Sequence, residues 1–94
     1  MTNKPADTTR FIDNDSVRVT EWRFAPGTET GRHTHEMDYV VVPLITGTLV
    51  IVDDEGERNN NITHGVPYFR KAGAEHNVVN RSGGEVAFTE IEMK

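Results

Sequence analysis

The chain has 94 residues, no cysteine and a formal net charge of −5, from 10 basic and 15 acidic residues. Its length fits one domain near the lower limit for a self-sufficient core, and the lack of cysteine excludes disulfides and thiolate metal sites. We therefore expect a cytoplasmic protein with neither nucleic acid nor membrane as a partner, because the charge is acidic and no long apolar segment is present.

Taken in chain order, the sequence predicts short β-strands. Residues 1–10 are polar, and residues 1–12 are expected to form a flexible arm ahead of a single domain over residues 13–94. Strands are predicted at residues 16–24, 38–45, 48–52, 57–63, 66–70, 76–80 and 85–93, with turn-forming residues between them. No stretch keeps a 3.6-residue apolar period, so the pattern is typical of an all-β sandwich or barrel.

Residues 39–45 form a nearly continuous apolar run, Tyr-Val-Val-Val-Pro-Leu-Ile. A strand with one face in water should alternate apolar and polar residues, so both faces of this strand need cover. We expect Val40 and Val42 to point into the barrel and Val41 to point outward. The expected cover for the outer face is a second copy of the sheet, which predicts a C2 homodimer. The alternative is that the N-terminal arm covers this face in a monomer.

Three histidines form the most informative pattern. His33 and His35 are two residues apart in an extended segment, so they project from the same face. His76 lies on a later predicted strand that the fold could place beside them. Three imidazoles in one place would hold a divalent transition ion. For a single histidine, solvation is the ordinary alternative, and it is our interpretation of His64.

The residues around these histidines follow a fixed spacing. One segment follows G-x5-H-x-H-x(3,4)-E-x6-G at Gly27, His33, His35 and Gly47, and another follows G-x5-P-x-G-x2-H-x3-N at Gly65, Gly73, His76 and Asn80. The two segments resemble the signature motifs of the cupin family and together cover residues 27–80. The resemblance implies a small double-stranded β-helix, a jelly-roll barrel whose mouth holds a metal, with Asn80 in a structural role. The stretch over residues 33–44 is also similar to small cupins associated with β-alanine degradation.

Two positions depart from the family pattern. Val40 stands where the family has a glutamate ligand, and Lys71 stands where it has a proline. Glu36 and Asp38 are close to the missing carboxylate, and a β-bulge could bring one of them to the metal. Simple alternation points both away, so a site of three histidines is the better interpretation.

Three neutral histidines leave the double charge of a divalent ion uncompensated, so the site should bind a small anionic oxygen ligand. Fe, Mn, Ni and Zn all suit such a site. With Fe(II), the resemblance favours a dioxygenase-like enzyme acting on a small oxo acid or β-dicarbonyl, whereas Zn or Ni would suit isomerisation or hydrolysis. The alternative is a non-catalytic module that binds or senses an acidic metabolite. Arg32, Tyr39 and Arg70 are the candidate ligand-contacting residues, and no catalytic residue is identified.

Overall fold

The computed structural model describes residues 4–94. These residues form β-strands and no helix, so none of them lies in a helix that could cross a membrane. The strands are β1 (Lys4–Pro5), β2 (Asp7–Asp13), β3 (Val17–Phe24), β4 (Thr28–Glu29), β5 (His33–Thr34), β6 (Tyr39–Ile45), β7 (Gly47–Asp53), β8 (Gly56–Ile62), β9 (Tyr68–Arg70), β10 (Glu75–Val79) and β11 (Val86–Met93). The expected all-β class is confirmed.

The strands lie in two sheets. One sheet has the order β1-β4-β10-β7-β8, with β5 also pairing with β10, and the other has the order β2-β3-β11-β6-β9. The β1–β4 pair is parallel, and the other pairs between described strands are antiparallel. β8 and β9 are consecutive in the chain, and each is the edge strand of a different sheet.

The hydrophobic core lies between the two sheets. Its buried side chains come from β3, β6 and β11 on one side and from β7, β8 and β10 on the other: Phe24, Tyr39, Val41, Val86 and Phe88, facing Leu49, Ile51, Ile62 and Val78. The β6–β7 turn passes close to this core. A Cβ atom on Gly47 would lie 2.5 Å from Cγ2 of Val86, so this turn requires glycine.

The side chains of β6 alternate in the opposite sense to our expectation. Tyr39 and Val41 are buried at 4% and 2% exposure, while Val40 and Val42 are only partly buried. The prediction that Val40 and Val42 point into the barrel is therefore wrong. Because both faces of this strand are apolar, the pattern contains no signal for which set faces inward, and a one-residue shift inverts the assignment.

The N-terminal segment pairs with both sheets from Lys4 onward. β1 pairs with β4 and β2 with β3, although every side chain of β2 is exposed. Main-chain hydrogen bonds therefore hold the segment that we expected to be a flexible arm. Residues 1–3 lie outside the described residues. The division into an arm over residues 1–12 and one domain over residues 13–94 remains a prediction.

Candidate metal centre

Strand pairing brings the three histidines together. His33 on β5 lies opposite His76 on β10, and His35 follows β5 by one residue. Nε2 of His35 lies 3.0 Å from Nε2 of His33 and 3.1 Å from Nε2 of His76. His35 and His76 are buried, at 5% and 8% exposure. The three rings thus present their Nε2 atoms to one point.

A backbone carbonyl sets the tautomer of His33. Nδ1 of His33 lies 2.8 Å from the carbonyl oxygen of Gly31, which can only accept, so Nδ1 carries the hydrogen and Nε2 has a free lone pair. Gly31 has φ +84°, a left-handed conformation that favours glycine. Its N–H donates to Oδ1 of Asn77 at 3.0 Å, and this bond fixes the turn.

Burial keeps the other two imidazoles neutral. It lowers the pKa of His35 from 6.5 to about 4, with smaller contributions from the charges of His33 and His76. Burial, followed by the charges of His33 and Arg58, also lowers the pKa of His76 to about 4. Lone pairs that face each other at about 3 Å repel unless a cation or a shared proton lies between them.

The nitrogen separations fit a transition ion. For metal–nitrogen bonds of about 2.1 Å, two nitrogens lie about 3.0 Å apart at a right angle and about 3.4 Å apart at the tetrahedral angle. The two observed separations of 3.0 and 3.1 Å lie within this range, so the three histidines could hold one divalent transition ion.

The histidine cluster opens into a cavity of about 340 Å³ between the sheets. This volume suits a small metabolite. The apolar part of the wall includes Val41, Leu49, Ile51, Val78 and Phe88, and the polar part includes Arg58, Asn60, Tyr68, Arg70 and Glu90.

Two of the three expected ligand-contacting residues line this cavity. Tyr39 stacks on His35, with ring centroids 4.1 Å apart, and Arg70 lies over the ring of Tyr68 at 4.5 Å. Arg32 is not part of the wall. It is exposed and forms ion pairs with Glu75 and Asp54 at 3.0 and 2.8 Å, because it precedes His33 by one residue and points to the opposite face.

The position of the family's glutamate ligand and the two nearby acids are also outside the cavity wall. Val40 points outward, Glu36 is exposed, and Oδ1 of Asp38 accepts a hydrogen bond from Ala72 N at 2.8 Å. The buried acid in this wall is Glu90 on β11, which our sequence reasoning missed.

Glu90 lies close to the cluster. Ligand atoms of His35, Glu90 and Glu92 lie within 4.8 Å of one another. Burial, followed by the charge of Glu92, raises the pKa of Glu90 from 4.5 to about 7. The sequence pattern could have indicated that Glu90 faces inward, because strand alternation places Glu90 and Glu92 on the same face as the apolar core residue Phe88.

Asn80 of the second motif and the fourth histidine, His64, both lie outside the cavity wall. Asn80 is fully buried and its Nδ2 donates to the carbonyl oxygens of Phe24 and Gly84 at 2.9 and 2.8 Å. This matches the structural role that the resemblance implied. His64 is exposed in the turn after β8 and is not in the cavity wall.

The chain is similar to several known proteins, although no protein-family model matches it. The beta-alanine degradation protein BauB of Pseudomonas aeruginosa is 57% identical over 95 aligned residues, with 100% of both chains covered. The crystal structure of a cupin domain from Bordetella pertussis Tohama I is 53% identical, with a TM-score of 0.96 over 100% of this chain and 98% of that one.

A more distant match concerns the fold alone. An RmlC-like cupin with a double-stranded β-helix from Methanocaldococcus jannaschii is 12% identical, with a TM-score of 0.78 over 96% of this chain and 81% of that one. The expected double-stranded β-helix is thereby confirmed. The chain belongs to the cupin family, among the small cupins that include the BauB protein of Pseudomonas aeruginosa.

Proposed function

We propose that the protein binds a divalent transition ion through Nε2 of His33, His35 and His76. The observation that carries this proposal is the convergence of three nitrogen donors, with separations of 3.0 and 3.1 Å, at the wall of a cavity. The lowered pKa values of His35 and His76 support it, because only unprotonated imidazole binds a metal.

The ion in turn holds a small anionic ligand that binds through two oxygens. Three neutral donors leave the charge of the ion uncompensated, and Arg58 and Arg70 add positive charge to the same cavity. Tyr39 stacks on His35 and restrains its ring, while Val41 and Phe88 keep water from the inner wall. A bound ion would supply Lewis acidity, and Fe(II) could also react with dioxygen.

We propose a dioxygenase-like enzyme for a small oxo acid or β-dicarbonyl. The name of the BauB relative points to β-alanine degradation. Removal of the amino group from any β-amino acid by transamination or oxidation leaves a 3-oxo acid, whose enol form presents two oxygens to a metal. A 3-oxo acid is therefore the substrate class that we favour. The alternative is a cupin that binds or senses such an acid without converting it.

We also propose that the protein acts in the cytoplasm as a C2 homodimer. The outer face of the β2-β3-β11-β6-β9 sheet carries an apolar row that crosses all five strands. Register pairs its members in sequence: Ile12 with Val19, Val19 with Ile91, Ile91 with Val40, and Val40 with Phe69. Ile12 and Phe69 are 44% and 49% exposed. A second copy packed face to face would cover this row.

Substrate turnover tests the enzyme proposal. Protein loaded anaerobically with Fe(II), Mn(II), Ni(II) or Zn(II) is given 2-oxo acids, 3-oxo acids and β-diketones, and oxygen uptake and products are measured. Conversion of a substrate by wild-type protein but not by the His76→Ala variant would support the enzyme proposal. Tight binding of a substrate without conversion would favour the non-catalytic alternative. A purified protein that takes up none of these ions would contradict both.

A further inference from the structure

The two edge strands β8 and β9 both contribute residues to the cavity wall. Nδ2 of Asn60 on β8 donates to the hydroxyl oxygen of Tyr68 on β9 at 3.1 Å, so a single hydrogen bond joins the two sheets here. Since the Tyr68 oxygen accepts this bond, its own O–H remains available to donate. Both residues line the cavity.

An arginine lies two residues beyond this bond on each strand. Arg58 precedes Asn60 by two residues, Arg70 follows Tyr68 by two, and strand alternation places each arginine on the inner face beside its neighbour. Arg58 lies opposite Ile51 on β7, and Arg70 lies opposite Tyr39 on β6. The two guanidinium groups therefore approach one cavity from different sheets.

Each arginine is also close to the histidine cluster. Arg70 is the cross-strand partner of Tyr39, whose ring stacks on His35. Arg58 lies opposite Ile51 on β7, and Ile51 lies opposite Val78 on β10, two residues from His76. A ligand bound at the cluster would thus share one cavity with both arginines.

Both arginines have N–H groups available for a ligand. Arg70 stacks on Tyr68 and uses Nη1 for the carbonyl oxygen of Phe69, and among residues 4–94 no carboxylate lies within 4.0 Å of it. Arg58 uses Nη1 for Oδ2 of Asp53 at 2.5 Å, and its other nitrogens bond no residue in the described part of the chain. A guanidinium fork matches the two oxygens of a carboxylate.

We propose that Arg58 and Arg70 together bind a carboxylate that the ligand carries in addition to the oxygens it presents to the histidine cluster. This inference rests on the proposed function and narrows its substrate class to small acids that chelate at one end and carry a free carboxylate at the other.

Two matched hydroxamates test the proposal on protein loaded with Ni(II). Succinic acid monohydroxamate and butyrohydroxamate share the same chelating group and chain length, but only the first carries a carboxylate. Calorimetric titration should show that wild-type protein binds the first compound at least about tenfold more tightly, as expected for a charge-assisted hydrogen bond at a partly exposed site. Arg70→Gln and Arg58→Gln should each lose most of this preference, because each should weaken binding of the first compound much more than binding of butyrohydroxamate.

Arg32→Gln is the matched control, because Arg32 is ion-paired outside the cavity. It should keep the full preference, and Arg70→Lys should keep part of it. Retained nickel content and circular dichroism confirm that each variant folds. Equal affinity of wild type for the two compounds, with nickel bound, would overturn the carboxylate site alone. Failure of both compounds to bind the nickel protein would overturn the proposed function as well, and so would failure of the protein to take up Ni(II), Fe(II), Mn(II) and Zn(II) alike.

Discussion

His33 and His76 are cross-strand partners, one on β5 and one on β10. Directly opposed residues in an antiparallel pair have Cβ atoms about 5 Å apart, so this register brings the two imidazoles together. His35 then reaches Nε2 of both rings at 3.0 and 3.1 Å. The cluster thus forms only when distant parts of the chain pair, and we expect metal binding to be coupled to folding.

Replacing one histidine of the cluster should abolish metal retention. His76→Ala removes one of three donors, and its effect should exceed the ten- to hundredfold loss of affinity that is typical of removing an outer-shell partner. Elemental analysis of protein purified without added metal provides the measurement. His64→Ala is the control, since His64 is exposed outside the cavity, and it should retain metal. Full metal occupancy in His76→Ala would refute the assignment.

In metal-free protein, the histidine cluster should make the free energy of unfolding depend on pH. The pKa values of His35 and His76 fall from 6.5 to about 4 on folding. The unfolded chain binds more protons between these values, so stability is fully present above about pH 6.5 and is lost as pH falls toward 4. Each histidine should contribute on the order of 2–3 kcal/mol. Urea unfolding in EDTA from about pH 7.5 to 4.5 measures this loss, and a flat profile would contradict it.

Glu90 should have the opposite effect of pH on the free energy of unfolding. Its pKa is raised from 4.5 to about 7 on folding, so its contribution to stability is present below about pH 4.5 and is lost as pH rises through 7. Glu90→Gln removes this contribution. In the same urea series, the variant should be more stable than wild type near neutral pH and should lose more stability toward pH 4.5. Identical profiles for the two proteins would show that Glu90 is not perturbed in this way.

A charge in the outer apolar row should separate the dimer. Val40→Glu places a carboxylate between Ile91 and Phe69, and light scattering at micromolar concentration should give a monomer mass for the variant and a dimer mass for wild type. Metal content should not change, because Val40 faces away from the cavity. Thr63→Glu, at an exposed position after β8, is the control and should remain dimeric. A monomeric wild type would contradict the interface.

Turn residues and apolar runs predicted most of the strands. Each of the seven predicted strands overlaps an observed strand, such as β6 (Tyr39–Ile45) for residues 38–45. β2 was missed because its side chains are all exposed and only its main chain pairs with β3. The inward face of β6 was assigned wrongly because its two faces are equally apolar, so alternation could not decide between them.

The histidines of the site could be predicted because two motifs fix their spacing, whereas the rest of the cavity wall could not. Arg58 and Glu90 belong to no motif, and their inward direction depends on the register of β8 and β11. In the sequence, Arg32 and Arg70 were equally good candidates for contacting an anionic ligand. The structure separates them, since Arg32 pairs with acids outside the cavity and Arg70 lines it.

Asn77 should act on metal affinity by positioning His33. Its Oδ1 accepts the N–H of Gly31 at 3.0 Å, its Nδ2 donates to Glu29, and the Gly31 carbonyl accepts Nδ1–H of His33. Asn77→Ala releases this turn, so we expect metal affinity to fall about tenfold or more, as for other losses of an outer-shell partner.

Comparing metal affinity with stability separates positioning from general destabilisation. The metal-free Asn77→Ala protein should lose only about 1 kcal/mol, which is typical of one or two partly exposed hydrogen bonds. Arg81→Ala removes an exposed ion pair with Glu57, outside the cavity wall, and serves as a control of comparable stability cost. It should leave metal affinity unchanged. If both variants lost metal affinity in proportion to their stability, Asn77 would have no positioning role.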